Sequence, residues 1–265
     1  MNSDVAIVIP TFNRAELVTK AIDSALSQTH SCQIIVCDHG STDNTPEVVS
    51  KYDDRVQYIR REKDLGPHFC WLEGVLHTDA KYIHIQYDDD WIADTFVQES
   101  MALMKEDVGM VVSNAKMIHL ETNEERGNLD FFEKLETGVY PNKLLEKKFI
   151  NEQSMVSPGA CMFRKKDIVD ALYQGDLPLE FKCTYHGVGP DYWMGLITLL
   201  RYSSFGFINK SLAFFGVHDG SITIDSETSP EKRREIRQAY RNVRIFYKII
   251  KYGKQLYRVI AKFTK

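Results

Sequence analysis

Lys81-Tyr82-Ile83-His84-Ile85-Gln86-Tyr87 runs directly into Asp88-Asp89-Asp90-Trp91. The first part has the apolar, aromatic and β-branched content of a strand. The second part crowds three carboxylates onto the end of that strand, where they repel one another. A hard divalent cation, Mg²⁺ or Mn²⁺, relieves such repulsion through oxygen ligands. A metal held in this way typically clamps a diphosphate. In isolation the triplet reads first as a solvated acidic turn that ends a strand. Its neighbours along the chain change that reading.

Upstream, strands and helices alternate. Val5–Ile9 is a continuous apolar run ended by Pro10, the pattern of a strand buried on both faces. Asn13 and Glu16 have capping-box spacing ahead of a stripe formed by Leu17, Val18, Ala21, Ile22, Ala25 and Leu26. Gln33–Cys37 is a second strand, Asp38-His39-Gly40-Ser41 a turn, and Thr45-Pro46 a helix start. Val56–Arg60 reads as a third strand, and His68–His77 as a helix weakened by Gly74. Tyr82–Tyr87 is the fourth strand, Asp94–Lys105 a helix and Met110–Ser113 the fifth strand. This order predicts an α/β domain: a Rossmann-like, mainly parallel sheet with helices on both faces.

After residue 114 the periodicity weakens. Residues 121–150 read as a loop or small insertion. Ala160–Phe163 is expected as a strand, Lys165–Tyr173 as a helix, Leu177–Pro190 as irregular and Asp191–Leu200 as a helix. Phe205–Ile208 and Leu212–Val217 read as two strands.

Ligands of open parallel sheets bind beyond the carboxyl ends of the strands. Pro10-Thr11, Asp38-His39 and Asp88-Asp89-Asp90 occupy that position on three strands. One acidic residue there is unremarkable. A set of them points to a cleft for a nucleotide and a metal.

Bulk properties set the class. The 265 residues suffice for one large domain, or for a domain with an appendage. No run of 18 apolar residues exists, so no transmembrane helix is expected. The opening MNSDVAIVIP lacks a basic n-region and a cleavage site, so no secretory signal is expected. Five scattered cysteines (Cys32, Cys37, Cys70, Cys161, Cys183) suit a reducing cytosol rather than a disulfide framework. The net charge of −4 is unevenly spread. Residues 231–265 hold 12 Lys/Arg against Glu231 and Glu235, a net +10, and the rest carries −14. In that basic stretch Ile236, Tyr240, Val243, Tyr247 and Ile250 form one helical stripe. Arg237, Arg241, Arg244, Lys248 and Lys251 form another, and Gly253 is a potential break.

Several segments together resemble family-2 glycosyltransferases of the GT-A fold. They are Val8-Ile9-Pro10-Thr11-Phe12-Asn13-Arg14, Ser24-Ala25-Leu26-Ser27-Gln28-Thr29, the run Ile34–Thr45, Tyr87-Asp88-Asp89-Asp90-Trp91 and Gly189-Pro190-Asp191-Tyr192-Trp193. The resemblance covers roughly the first 220 residues in broken form. It implies a metal-dependent, inverting transfer of a sugar from a nucleotide diphosphate, UDP above all. It further implies Pro10, Thr11, Asn13, Arg14, Asp38 and Asp88 around the nucleotide, with Asp38 recognising the base. Asp89, Asp90 and His218 are implied at Mn²⁺ or Mg²⁺, Asp191 as catalytic base, and Trp91 and Trp193 in the acceptor or sugar cleft. Residues 1–114 would form the nucleotide-sugar half, 115–229 the acceptor and catalytic-base half of the same domain, and 230–265 a basic amphipathic helical tail. The implied acceptor is a saccharide or polyprenyl-linked saccharide of bacterial surface polysaccharide. The place of action is the cytoplasmic face of the plasma membrane, with the protein peripheral.

Departures from the family pattern bear on these roles. His39 stands where many members have a second turn acid, Tyr87 where the metal motif commonly begins with aspartate, and Pro190 where an acidic pair is frequent. Only Asp191 in that last motif can therefore be the base. The residues also admit structural readings. Asp38 can cap its turn, and Asp191 can cap the helix that follows. His218 can be a turn histidine, and the tryptophans can be core. The basic helix can pack on the domain with a solvated face, or lie on anionic lipid. The acidic body argues against nucleic acid. A membrane-bound binding module with a degenerate site is one competing function. A sugar nucleotidyltransferase is the other, but Pro10-Thr11-Phe12-Asn13 is not its Gly-rich basic loop.

Overall fold

The computed structural model describes residues 3–63, 65–151, 156–172, 188–218 and 229–263. The chain opens with β1 (Val5–Thr11), α1 (Ala15–Leu26), β2 (Gln33–Asp38), α2 (Thr45–Ser50), β3 (Gln57–Arg60), α3 (Pro67–Leu76) and β4 (Tyr82–Ile85). These strands stand in the order β3-β2-β1-β4 and are all parallel. The crossovers through α1 and α2 run one way along the sheet and that through α3 runs back. Right-handed crossovers then put α3 on the opposite face. Accordingly α1 packs on α2, while α3 contacts α6 (Lys165–Ala171), which contacts α7 (Pro190–Arg201). Where the direction reverses, between β1 and β4, a crevice opens beyond the strand ends.

Pro10 does not end β1, which continues to Thr11. The reason lies in the ladder. Thr11 O accepts from His39 N on the β2 side, so the nitrogen of Pro10 faces β4. Pairing with β4 stops at Val8↔Ile85, so the missing N–H of Pro10 breaks no ladder bond. Gly74 is likewise explained. A Cβ there would lie 2.5 Å from Val8 Cγ1 and 2.7 Å from Cys37 Sγ, so glycine lets α3 approach the sheet.

After β4 come β5 (Trp91–Ile92), α4 (Phe96–Leu103), β6 (Val108–His119), β7 (Glu125–Leu129), β8 (Gly138–Pro141), α5 (Asn142–Glu146), β9 (Cys161–Arg164), α6, α7, β10 (Ser204–Val217) and α8 (Pro230–Phe263). The sheet continues β4-β9-β6-β10-β5. β9 is antiparallel to both neighbours, and β6 and β10 are parallel. The fifth strand expected at Met110–Ser113 is the centre of the longer β6, which also spans residues 114 and 115 and so joins the two halves. Residues 121–150 are not a loop: β7 pairs with β6 and β8 with β10. Neither strand is buried, so neither shows the apolar alternation that would reveal it. Phe205–Ile208 and Leu212–Val217 belong to the single strand β10, interrupted by register shifts between Ile208 and Ala213. Asn209 and Lys210 are exposed at that irregularity. The irregular stretch expected at 177–190 lies mostly outside the described residues, as does Cys183.

α8 runs on through Gly253 as one helix. Ala239, Val243, Phe246 and Tyr247 are buried on its inner side. Phe246 meets Trp193 of α7 at 5.0 Å between ring centroids. Arg234, Arg237, Arg241, Ile245, Lys248, Ile249 and Tyr252 are exposed. Of the expected basic stripe, Arg244 lies over the Tyr192 ring and Lys251 pairs with Glu146, so these two serve the packing. Among the described residues no helix is long and apolar enough to cross a membrane.

Candidate active site

Register brings the first residues together. Thr11, Asp38 and Arg60 are paired neighbours across β1, β2 and β3, so their side chains share the carboxyl edge of the sheet. Asp38 is buried and its carboxylate is fully engaged. Oδ1 accepts from Gly40 N at 3.0 Å and Ser41 N at 2.7 Å. Oδ2 accepts from Tyr58 OH at 2.5 Å and lies 3.7 Å from Arg60 Nε. This geometry makes Asp38 the anchor of its turn. Phe12, partly exposed, and His39, with ring centroids 6.2 Å apart, stand at the same edge.

Asn13 does not cap α1. Its φ is +52°, and its side-chain oxygen accepts from Thr42 N at 2.7 Å and Asp43 N at 3.3 Å. Asp43 instead reaches Ala15 N at 3.3 Å with Oδ2. The loops after β1 and β2 therefore hold each other. Arg14, the residue at the head of α1, points into the crevice. Its Nη1 donates to Asp88 Oδ1 at 3.0 Å and to Asp89 Oδ2 at 2.8 Å.

The three aspartates have different surroundings. Burial and repulsion from Asp89 push the Asp88 carboxyl up to about 6, against the pull of Arg14. Burial also opposes the charge of Asp89, yet the hydrogen bond with His218 and the Arg14 guanidinium hold its pKa below the ordinary value. His218 Nε2 lies 3.1 Å from Asp89 Oδ2. Asp90 faces inward. Its Oδ1 accepts from Gly216 N at 3.0 Å, and burial with Asp89 beside it drives its pKa well above the usual range. The turn and β10 are so close that a Cβ on Gly216 would lie 2.2 Å from the Asp89 carbonyl oxygen. Glycine at 216 is what lets His218 reach Asp89.

These positions bear on a metal. Among the described residues no three His, Cys, Asp or Glu side chains form a ready-made cage. Asp89 and His218 do present an oxygen and a nitrogen to the same point, a donor pair that suits Mn²⁺ or Mg²⁺ completed by phosphate oxygens and water. Asp90, engaged with Gly216, is placed to support the turn rather than to ligate.

Asp191 stands in the first turn of α7. Oδ1 accepts from Gly189 N at 2.8 Å and Tyr192 N at 2.7 Å, so from within the first turn it ties down the helix start, whose N-cap is Gly189. Oδ2 accepts from Tyr240 OH of α8 at 3.0 Å. Burial raises the carboxyl to about 6, and these hydrogen bonds hold it from going higher. Tyr87 ties the two ends of the site together: burial, then the charges of Asp191, Asp90 and Asp89, all raise its pKa. Tyr87 is thus a buried group within electrostatic reach of both Asp191 and the acidic turn.

The rings of both tryptophans have partners. Trp91 stacks on Phe214 at 5.5 Å and 9°, and Lys20 Nζ sits 3.1 Å over its ring, so neither face is open to a sugar. Trp193 is buried against Phe246 between α7 and α8. His84, read as structural, is wholly buried, with Nδ1 at 2.9 Å from Cys161 O. Burial drives its pKa down to about 4, so it stays neutral. Tyr58 and Tyr240 contact the proposed site residues yet stand out in no motif. Tyr240 is only one member of an apolar stripe in the sequence.

The sequence profile of glycosyl transferase family 2 matches residues 6–172, which include β1 to β4, the turn after β2 and the three aspartates. The chain belongs to glycosyl transferase family 2. Membership of this family sets aside the sugar nucleotidyltransferase alternative. A Campylobacter jejuni GalNAc(5)-diNAcBac-PP-undecaprenol beta-1,3-glucosyltransferase is 28% identical over 183 residues, covering 67% of this chain and 51% of the relative. The fold matches Staphylococcus aureus TarS residues 1–349 in complex with UDP-GlcNAc, with a TM-score of 0.68 and 18% identity over 91% of this chain and 65% of TarS. It also matches the Pyrobaculum calidifontis mannosyltransferase PcManGT in complex with GDP-Man and Mn²⁺, with a TM-score of 0.57 and 16% identity over 91% and 65% of the two chains. These likenesses establish the GT-A architecture. Some relatives are much longer, and one that matches 84% of this chain is spanned for only 32% of its own length.

Proposed function

We propose that this family-2 glycosyltransferase moves a sugar from UDP to a hydroxyl of a lipid-linked saccharide, with inversion, at the inner face of the plasma membrane. The product would be a unit of bacterial surface polysaccharide. The observation that carries the reading is a division of labour on the two sides of the buried Tyr87. Arg14, Asp89 and His218 gather at one end, and Asp191, with its raised pKa, stands at the other. UDP is favoured by the likeness to TarS with UDP-GlcNAc, and a polyprenyl diphosphate acceptor by the Campylobacter relative.

The chemistry follows from the charges. As the anomeric C–O bond breaks, negative charge builds on the leaving diphosphate. The Arg14 guanidinium, now shared by Asp88 and Asp89, is placed to turn toward that charge. Asp89 and His218 would hold a divalent cation, which when bound neutralises the diphosphate. Asp191 takes the proton of the acceptor hydroxyl as its oxygen attacks the opposite face of the anomeric carbon. Asp38, Asn13 and Asp43 act on the nucleotide through the loops they hold. Incubation with a panel of UDP- and GDP-sugars and Mn²⁺ should give slow release of UDP from one UDP-sugar. Release from none of them, together with no binding of UDP, would support the degenerate binding-module reading.

Membrane attachment rests on the outer face of α8, where Arg237, Arg241 and Lys248 alternate with the exposed Ile245, Ile249 and Tyr252. Each cation near an anionic surface contributes about 1 kcal/mol. Replacing Arg237, Arg241 and Lys248 together by Glu should therefore cut binding to phosphatidylglycerol vesicles by about 100-fold or more. The fold should survive, because these side chains are exposed. Unchanged sedimentation with such vesicles would remove the membrane reading.

A further inference from the structure

Asp191 takes two hydrogen bonds from its own helix and a third from α8. Gly189 N and Tyr192 N fill both lone pairs of Oδ1. Tyr240 OH takes one lone pair of Oδ2, at 3.0 Å. Among the described residues no further donor reaches Oδ2, which leaves it one acceptor site. The Tyr240 ring is itself fixed, edge-on to Tyr192 at 5.5 Å and 74°. One and two turns further along α8, Val243 and Tyr247 are buried against the domain, so the helix cannot lift away without exposing them.

We infer that Tyr240 is a positioning residue for the catalytic base, and that Oδ2 of Asp191 is the atom that receives the acceptor proton. The inference rests on the reading of Asp191 as base. In the step, the acceptor O–H bond breaks and its proton goes to the free lone pair of Oδ2. The acceptor oxygen bonds to the anomeric carbon, and the electron pair of the breaking C–O bond leaves with the diphosphate. Tyr240 sets the plane of the carboxylate and supports its charge before the proton arrives. The long C-terminal helix is thereby part of the active site as well as a surface element. The other groups that face Asp191 are Tyr87, with Asp89 and Asp90 behind it, and Tyr192, with Arg244 at 5.9 Å from its ring.

Tyr240→Phe keeps the ring and its packing and removes only the donor. Loss of a hydrogen bond to a charged group should raise the acid limb of the kcat profile by about one to two pH units. At pH 6, kcat should fall about tenfold, while the KM for the donor and the unfolding temperature stay near wild type. In the Asp191→Asn background, adding Tyr240→Phe should lower kcat no further, because both act through one carboxylate. The carboxyl ¹³C titration of Asp191, assigned by its absence in Asp191→Asn, should shift upward in Tyr240→Phe without any turnover. An unmoved titration and acid limb would overturn the inference, as would an additive loss in the double variant. Wild-type turnover by Asp191→Asn would instead refute the base assignment, leaving the titration to report on the Tyr240 bond alone.

Discussion

Asp191→Asn is expected to bind UDP-sugar with unchanged affinity and to lose transfer by about 10²–10⁴-fold. The substitution separates the two things this carboxylate does. An asparagine oxygen can still accept from Gly189 N and Tyr192 N, so the start of α7 stays capped. It cannot take a proton from an acceptor hydroxyl. Stability measured by thermal unfolding should therefore change little while turnover collapses. In the wild-type enzyme the carboxyl, raised by burial to about 6, must be ionised to act. Its kcat should hold above that pH and fall about tenfold per unit below it. Wild-type turnover in the variant would place the base elsewhere. A large drop in unfolding temperature with the loss of activity would leave Asp191 as a helix cap alone.

The sequence made the N-terminal half legible because most of its strands are buried on both faces. Continuous runs such as Val5–Ile9 and Ile34–Cys37 read as interior strands because they are short, β-branched and punctuated by turns. The mainly parallel pairing followed from the alternation with helices, and the shared carboxyl edge followed from that pairing. The second half resisted for the same physical reason in reverse. β7 and β8 lie on the periphery with little burial, and β10 carries an irregularity that splits its pattern into two apparent strands. Among site residues, the acidic turn was visible as carboxylates at a strand end, and Asp191 through the resemblance of Gly189–Trp193 to the family's acidic motif. Which aspartate does what was not visible. It depends on Arg14 arriving from α1, on His218 arriving from the end of β10, and on Gly216 letting that strand pass. Trp91 and Trp193 looked like cleft walls because aromatic rings beside acidic motifs suit sugars. Their partners, Phe214 with Lys20 and Phe246, come from segments far away in the chain.

The same separation of roles makes the metal question sharp. Asp89→Asn is expected to weaken Mn²⁺-dependent UDP binding by at least about 100-fold, since even indirect partners of metal ligands cost 10–100-fold. Asp90→Asn should change it little. Asp89 is the aspartate that meets His218 and keeps a low pKa, so it is charged and reachable. Asp90 faces Gly216 N with a carboxyl that burial has driven upward, and an asparagine oxygen can accept that same N–H. Titration calorimetry with UDP, with and without Mn²⁺, distinguishes the two variants. In the absence of metal Arg14 neutralises Asp88 and Asp89, so UDP alone must compete with two carboxylates for one guanidinium. Binding by the wild-type protein should accordingly be weak until Mn²⁺ is added. Equal UDP affinity with and without the ion, or loss in Asp90→Asn but not in Asp89→Asn, would take Asp89 out of the metal site.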